Sequence, residues 1–186
     1  MRIYDFGSGR TDPGSFPTEE LAAAAQQAVR EIGPELCSYP GDMGHQNLRD
    51  IMAARESERE GVDVSPDQVA LTNGSMQAVT LVAEALVQGA GDIVVTEELT
   101  YSGTIGAYKN LGVKLVGVPL DEHGMRVDAL ADTLEYLHRK GTPPRFIYTL
   151  ATYQNPTGSM MPRARRLELL EVARRYDVVV VDDNCY

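Results

Sequence analysis

An α/β domain with a mainly parallel sheet flanked by helices is the fold this sequence predicts, and three observations predict it. From residue 69 onward, short runs rich in Val, Ile and Leu alternate with longer stretches of helical periodicity, the order of repeated strand–helix–strand units. Glycines close successive helical stretches, at Gly61, Gly89 and Gly112, where a left-handed residue stops a helix at little steric cost. The run Val178-Val179-Val180-Val181 is apolar on both faces, as a strand covered by helices on both sides must be.

Residues 1–17 are rich in Gly, Pro, Ser and Asp without a sustained period and read as an irregular arm. A helix is predicted over 18–32: Thr18 can cap it, Glu19 and Glu20 favour its positive end, and Gly33-Pro34 stops it. A second helix is predicted over 45–60. Strands follow at 69–72, 93–96, 113–118, 145–150 and 178–181, with helices at 75–88, 101–111, 127–139 and 163–176 between them. In the last helix Leu167, Leu170 and Ala173 recur at helical spacing, and Leu169, Val172 and Tyr176 widen the face. The expected organisation is an arm with its first helix over 1–44, then the N-terminal portion of a larger domain over 45–186. The sequence stops at Tyr186 just after a strand, so the sheet is expected to be incomplete at that end.

Composition removes several classes of function. A formal net charge of −10 over 186 residues argues against a nucleic-acid binder or a membrane-surface protein, which carry a basic footprint. It leaves open a site for one small anion, since such sites are built from local dipoles. Arg163, Arg165, Arg166, Arg174 and Arg175 share a helix with Glu168 and Glu171 and read as a solvated face with helix-spaced ion pairs. Cys37 and Cys185 have no metal-type spacing, and His45, His123 and His138 are scattered, so no metal is expected. The N-terminus lacks the apolar core of a signal peptide, and no apolar run approaches the ~20 residues of a membrane span. A cytoplasmic protein is the expectation.

Ligands of open α/β sheets bind at the carboxyl ends of the strands, and four such places carry suggestive groups. Thr72-Asn73-Gly74-Ser75-Met76-Gln77 opens a helix, where Gly74 permits close backbone approach and the N–H groups of Ser75 and Met76 can face an anion. Glu97-Glu98-Leu99-Thr100-Tyr101-Ser102-Gly103 places a tyrosine where it can stack on a flat ring. Tyr153-Gln154-Asn155-Pro156-Thr157-Gly158 is a tight loop rich in donors. Asp182-Asp183-Asn184-Cys185-Tyr186 ends the valine strand with two acids that are costly to bury unless bonded. Capping, packing, turn chemistry and solvation explain each stretch alone. Their joint order is what points to a site.

These residues resemble the fold-type I, class I and II aminotransferases, which depend on pyridoxal 5'-phosphate (PLP). The most specific segments are Gln154-Asn155-Pro156-Thr157-Gly158 and the later valine strand ending in Asp182-Asp183-Asn184-Cys185-Tyr186. Glu98-Leu99-Thr100-Tyr101-Ser102-Gly103-Thr104 is similar to the subgroup holding 2-aminoadipate and kynurenine aminotransferases. The resemblance implies that Gly74, Ser75 and Met76 hold the cofactor phosphate and that Tyr101 stacks on the ring. It implies that Asn155 and Tyr186 bond the 3-hydroxyl oxygen, and that Asp183 pairs with the ring nitrogen and keeps it protonated. Asp183 and Tyr186 are thereby the catalytic candidates in this chain. Tyr39 would reach the phosphate of the neighbouring subunit in a homodimer, while Gly9 and Asn155 would lie at the substrate. The family places its Schiff-base lysine and carboxylate-binding arginine further along, and Lys109, Lys114 and Lys140 stand at surface-like positions.

The implied reaction moves an amino group between an amino acid and a 2-oxo acid. The same residues serve a lyase, decarboxylase or oxidase acting on amino acids, and the subgroup also contains non-catalytic effector domains of transcription regulators. Those regulators carry a winged-helix segment ahead of the PLP domain, whereas this sequence starts at the arm. A dinucleotide-binding Rossmann domain fails on context, because Gly7-Ser8-Gly9 lacks a third glycine and follows no strand.

Overall fold

The computed structural model describes residues 11–185, in two compact units that divide between Leu71 and Thr72. Among the described residues no helix is long and apolar enough to cross a membrane, and no cluster of three or more His, Cys, Asp or Glu could hold a metal ion.

In the first unit, helix α1 spans Thr18–Ile32 with Glu19 and Glu20 in its first turn, and α2 spans Gln46–Glu60. Gly61 ends α2 in the left-handed conformation, its N–H donating to the Ser57 carbonyl at 2.9 Å. The strand expected over 69–72 does not form. A strand exists only by pairing, and here a single bond from the Leu71 N–H to the Met43 carbonyl (3.0 Å) replaces a ladder. Gly44 makes that approach possible. It sits at φ +90°, and a Cβ there would lie 2.7 Å from the Leu71 side chain.

The second unit holds α3 (Ser75–Leu86), β1 (Ile93–Glu97), α4 (Ser102–Asn110) and β2 (Lys114–Val118). A short hairpin of β3 (Leu120–Asp121) and β4 (Gly124–Met125) comes next, then α5 (Val127–Arg139), β5 (Phe146–Thr149), α6 (Arg163–Arg175) and β6 (Val179–Asp182). The four long strands form one parallel sheet in the order β2-β1-β5-β6. The hairpin went unforeseen because its strands have two residues each, too few to show a period.

Strand alternation divides the core into two layers. Val94, Phe146 and Tyr148 face α3 and α4, packing on Val79, Ala83 and Tyr108. Val95 and Ile147 face the other way, onto Leu130 and Leu134 of α5 and Leu169 and Val172 of α6. Both faces of the central strands are thus covered, as the apolar runs required. The valine strand is less enclosed than its sequence suggests. Among the described residues β6 pairs with β5 alone, and Val179 is half-exposed.

Helix α6 also differs from expectation. Its buried residues are Leu169, Val172 and Ala173, while Leu167 and Leu170 stand half-exposed. Nor are its arginines uniformly solvated. The Arg174–Glu171 pair is the exposed helix-spaced bridge foreseen (3.8 Å), but Arg165 binds Asp121 of the hairpin. Arg166 donates to the carbonyls of Met161 (2.9 Å) and Ala151 (2.8 Å) and to the Thr152 hydroxyl (3.0 Å). Arg165 thus ties α6 to the hairpin, and Arg166 fastens the loop between β5 and α6.

Candidate active site at the carboxyl edge of the sheet

Parallel register brings three strand ends to one level. Val95 pairs with Ile147 and Thr149 with Asp182, so Glu97, Thr149 and the pair Asp182 and Asp183 stand side by side. α3 begins at the same edge, and it begins without a side-chain cap. Its N-cap is Gly74 at φ 79° and ψ 168°, a region open essentially to glycine alone. A Cβ at Gly74 would meet nothing within 4 Å, so the backbone angle, not crowding, demands glycine. The Asn73 N–H donates to Gln77 Oε1 (2.6 Å), and the first helical bond runs from Ala78 N–H to the Gly74 carbonyl (3.4 Å). The N–H groups of Ser75, Met76 and Gln77 are left without an acceptor among the described residues. Capping by Asn73 or Ser75, the ordinary explanation of this stretch, is absent. The Met76 side chain turns into the core beside Val79, so only its backbone faces the site.

Ser75 and Asp183 line a single cavity of about 280 Å³, together with Val79, Val181, Asn184 and Cys185. Its lining thus brings together the start of a helix, where the positive pole lies, and a buried carboxylate. Asp183 is only 8% exposed. Its Oδ2 accepts from the Tyr148 hydroxyl at 2.7 Å, and its Oδ1 accepts from Cys185 Sγ at 3.2 Å. Tyr148 and Thr104, both fully buried, continue the chain through a 3.0 Å bond. Burial pushes the Tyr148 phenol far above the usual tyrosine range, and Asp183 adds to it. Burial also pushes the Cys185 thiol up, with Asp183 adding to it. Asp182 also contributes to the lining, and its Oδ1 accepts from the Ala151 N–H at 3.0 Å. Both adjacent acids border the cavity, therefore, and Asp182 in addition holds a loop. The Tyr108 hydroxyl and Asn184 Oδ1 are buried without a partner among the described residues, polar capacity left unused around Asp183.

Tyr101 is the N-cap of α4 and is partly exposed. Its ring lies over Gly103, where a Cβ would come within 2.6 Å of the ring edge. Asn155 sits half-buried in the loop after β5, before a cis bond to Pro156. Tyr39 belongs to the first unit and is fully exposed. Gly9 and Tyr186 lie outside the described residues.

Four residues of this edge escaped the sequence reading. Tyr148 lies inside the apolar strand β5, where nothing in its spacing marks it, and Thr104 ends a stretch singled out without any role given to it. Glu97 and Gln154 stand in stretches already singled out, yet their importance is geometric. Glu97 is 1% exposed and accepts four bonds: from the Thr149 hydroxyl (2.7 Å), the Leu150 N–H (3.0 Å), the Thr100 hydroxyl (3.0 Å) and Gln154 Nε2 (3.0 Å). Burial pushes its carboxyl above the ordinary glutamate value, and these donors pull against that. The signal available was an acid directly ending the apolar strand Ile93–Glu97.

Lys109, Lys114 and Lys140 are remote from this edge. Lys114 begins β2, Lys109 lies in the last turn of α4, and Lys140 follows α5. In a parallel α/β unit, strand starts and helix ends share the opposite edge.

Comparison with known proteins supplies the family. Residues 3–186 match the family described as aminotransferase class I and II, whose members use PLP. Aromatic-amino-acid aminotransferase 1 of Thermococcus litoralis is 33% identical over 184 residues, covering 99% of this chain and 44% of that protein. The 2-aminoadipate transaminase of Thermus thermophilus is 35% identical over 184 residues, covering 99% and 43%. The crystal structure of Pyrococcus horikoshii kynurenine aminotransferase, in complex with PMP, superposes with a TM-score of 0.88 at 32% identity. It covers 95% of this chain and 43% of that one. The chain thus spans somewhat under half the length of the proteins it matches. By fold, by the order of its strand-end groups and by a match over nearly all its residues, this chain belongs to the class I and II aminotransferases.

Proposed function

We propose that the protein containing this chain is a PLP-dependent aminotransferase that moves an amino group between an amino acid and a 2-oxo acid. One observation carries the reading: the uncapped start of α3 and the buried Asp183 line the same cavity. The donor set fits PLP, a molecule with a dianionic phosphate at one end and a basic ring nitrogen at the other. When bound, the cofactor acts as an electron sink for the amino-acid carbon that loses its proton.

The chain's own residues bind and orient. Ser75 and Met76 offer backbone N–H groups to the phosphate, and the Ser75 hydroxyl adds a donor. Gly74, whose own N–H donates to the Thr72 carbonyl at 3.0 Å, lets the backbone come close to it. Asp183 stands against the ring nitrogen and keeps its proton in place, since a neighbouring negative charge favours the charged form. Tyr101 covers one face of the ring and fixes its plane. Asn155, with Tyr186, donates to the 3-oxygen, and Asn155 with Gly9 borders the substrate. In this reading residues 1–44 form an arm with its first helix, and 45–186 begin the PLP-binding domain. The protein is a cytoplasmic homodimer in which Tyr39, fully exposed on its own unit, reaches the phosphate of the other subunit. The lysine that would hold the cofactor and the arginine that would bind the substrate carboxylate would come from sequence beyond this chain.

The test uses the full-length protein. Titration with PLP is expected to give saturable binding with a visible absorbance band. With an amino-acid donor, amino-group appearance on a 2-oxo acid is expected in a one-to-one ratio with donor loss. Donor consumption without transfer would assign a lyase, decarboxylase or oxidase reaction instead, and absence of PLP binding would end the reading.

A further inference from the structure

We propose that Glu97, acting through Gln154, is a positioning residue that sets the spacing between the loop bearing Tyr101 and the loop bearing Asn155. The inference deepens the PLP reading and rests on it. Glu97 is the last residue of β1, and its four donors come from three separate stretches of chain. Thr100 belongs to the loop that ends at Tyr101, Thr149 and Leu150 to the end of β5, and Gln154 to the loop of Asn155. Gln154 is itself 1% exposed and has every bonding position filled. Its Nε2 donates to Glu97 and to the Leu99 carbonyl (2.6 Å), and its Oε1 accepts from the Thr157 N–H (2.9 Å) and hydroxyl (2.7 Å). The two loops are therefore joined to each other and to the sheet through one carboxyl–amide pair.

The orientation of that pair is forced. The Thr157 N–H can only donate and the Leu99 carbonyl can only accept, so the Gln154 amide has one permitted assignment. Each Glu97 oxygen then faces one hydroxyl and one N–H: Thr149 and Leu150 at Oε1, Thr100 and Gln154 at Oε2. A hydroxyl can turn around, but an N–H cannot. An amide nitrogen in place of either oxygen meets a donor it cannot accept from. Glu97→Gln, nearly identical in shape, must break a tie to the sheet or to the Asn155 loop. No cation pairs with Glu97 among the described residues, so the carboxyl's bonds are spent wholly on holding these loops.

The test compares full-length wild type, Glu97→Gln, Gln154→Met and the double variant by equilibrium PLP binding to the apoprotein. The pH midpoint of the bound cofactor's visible absorbance is recorded beside it. PLP affinity is expected to fall by about tenfold in each single variant and by less than the product of the two in the double, because both changes act on the one carboxyl–amide pair. The absorbance midpoint is expected to move, because Asn155 at the 3-oxygen is displaced; a purely structural role would lower the unfolding midpoint and leave this titration in place. If Glu97→Gln does not fold, Gln154→Met decides. It leaves Glu97 its other three donors and frees the Leu99 carbonyl and the Thr157 N–H and hydroxyl, all on exposed residues, to water. A folded single variant that binds PLP within twofold of wild type with an unmoved midpoint overturns the proposal, as does a multiplicative loss in the double. Wild type that binds no PLP overturns the functional reading itself and this inference with it.

Discussion

Tyr148→Phe isolates the chain that supports Asp183. The Tyr148 hydroxyl spends its single hydrogen on Asp183 Oδ2 at 2.7 Å, so the 3.0 Å contact with Thr104 requires Thr104 to donate. Phenylalanine keeps the ring, which packs edge-on against Tyr108 with centroids 5.5 Å apart, and opens no cavity beyond one oxygen. Two electrostatic losses remain. A hydrogen bond to a charged group is removed, worth about 1.5–3 kcal/mol. The Thr104 hydroxyl, fully buried, is left without an acceptor at a further cost of about 1–3 kcal/mol. The two share one network and do not simply add, so the expected destabilisation of the apoprotein is about 2–4 kcal/mol. Urea unfolding of the full-length protein measures it as a lowered midpoint at unchanged slope. Thr104→Val in the Tyr148→Phe background should recover part of the loss, because it removes the orphaned hydroxyl. A Tyr148→Phe change below about 0.5 kcal/mol would mean that these bonds do not hold Asp183 in solution.

Asp183→Ala in the full-length protein is expected to bind PLP poorly and to lose most transamination activity, measured by cofactor titration and turnover; near-normal turnover contradicts the assignment. Gly74→Ala forces a side chain onto a glycine-only backbone region and should cost about 1–3 kcal/mol in urea unfolding while weakening PLP binding, although space for the methyl is free. Stability should also fall as pH rises past about 10. The unfolded chain then releases the protons of Tyr108 and Tyr148, whereas burial pushes both phenols up and they keep theirs in the folded state. With fewer protons bound by the unfolded form, the slope is negative, and unfolding at stepped alkaline pH should show it shallower in Tyr148→Phe.

Periodicity made most of the second unit legible, because β1 and β5 are buried on both faces and α5 presents Leu130, Leu134 and Leu137 at strict helical spacing. It failed where structure depends on partners far along the chain. Residues 69–72 have the composition of a strand and, among the described residues, no strand to pair with. Leu167 and Leu170 have helical spacing, yet the buried arc of α6 is centred on Leu169, Val172 and Ala173. The site was legible in part for the same reason. Tyr101, Asn155 and Asp183 follow strands and Ser75 opens a helix behind a glycine, and strand ends and helix starts can be found by reading. Their second layer, Glu97, Thr104, Tyr148 and Gln154, depends on which side chain meets which across 35 to 57 residues of sequence, and only the packed sheet decides that.

Burial alone locates the site. Among the described residues the buried polar or charged side chains are Arg49, Thr96, Glu97, Thr100, Thr104, Thr149, Gln154 and Asp183. All but Arg49 lie at or just beyond the carboxyl ends of β1 and β5–β6 or in the first turn of α4. A core shaped by stability alone has no reason to concentrate them there, since each would cost about 1–3 kcal/mol if left unpaired and apolar residues would pack without that risk. The opposite edge of the same sheet needs none: it is tied by Arg145 to Asp92 at 2.8 Å, partly in solvent. On the proposed function, the polar layer is the place where backbone and side chains are held in fixed orientation against a ligand. Its bonds give that edge direction, which apolar contact cannot supply. If the layer served folding only, variants in it would lower stability and leave cofactor binding intact. The Glu97 and Tyr148 measurements are chosen to separate those two outcomes.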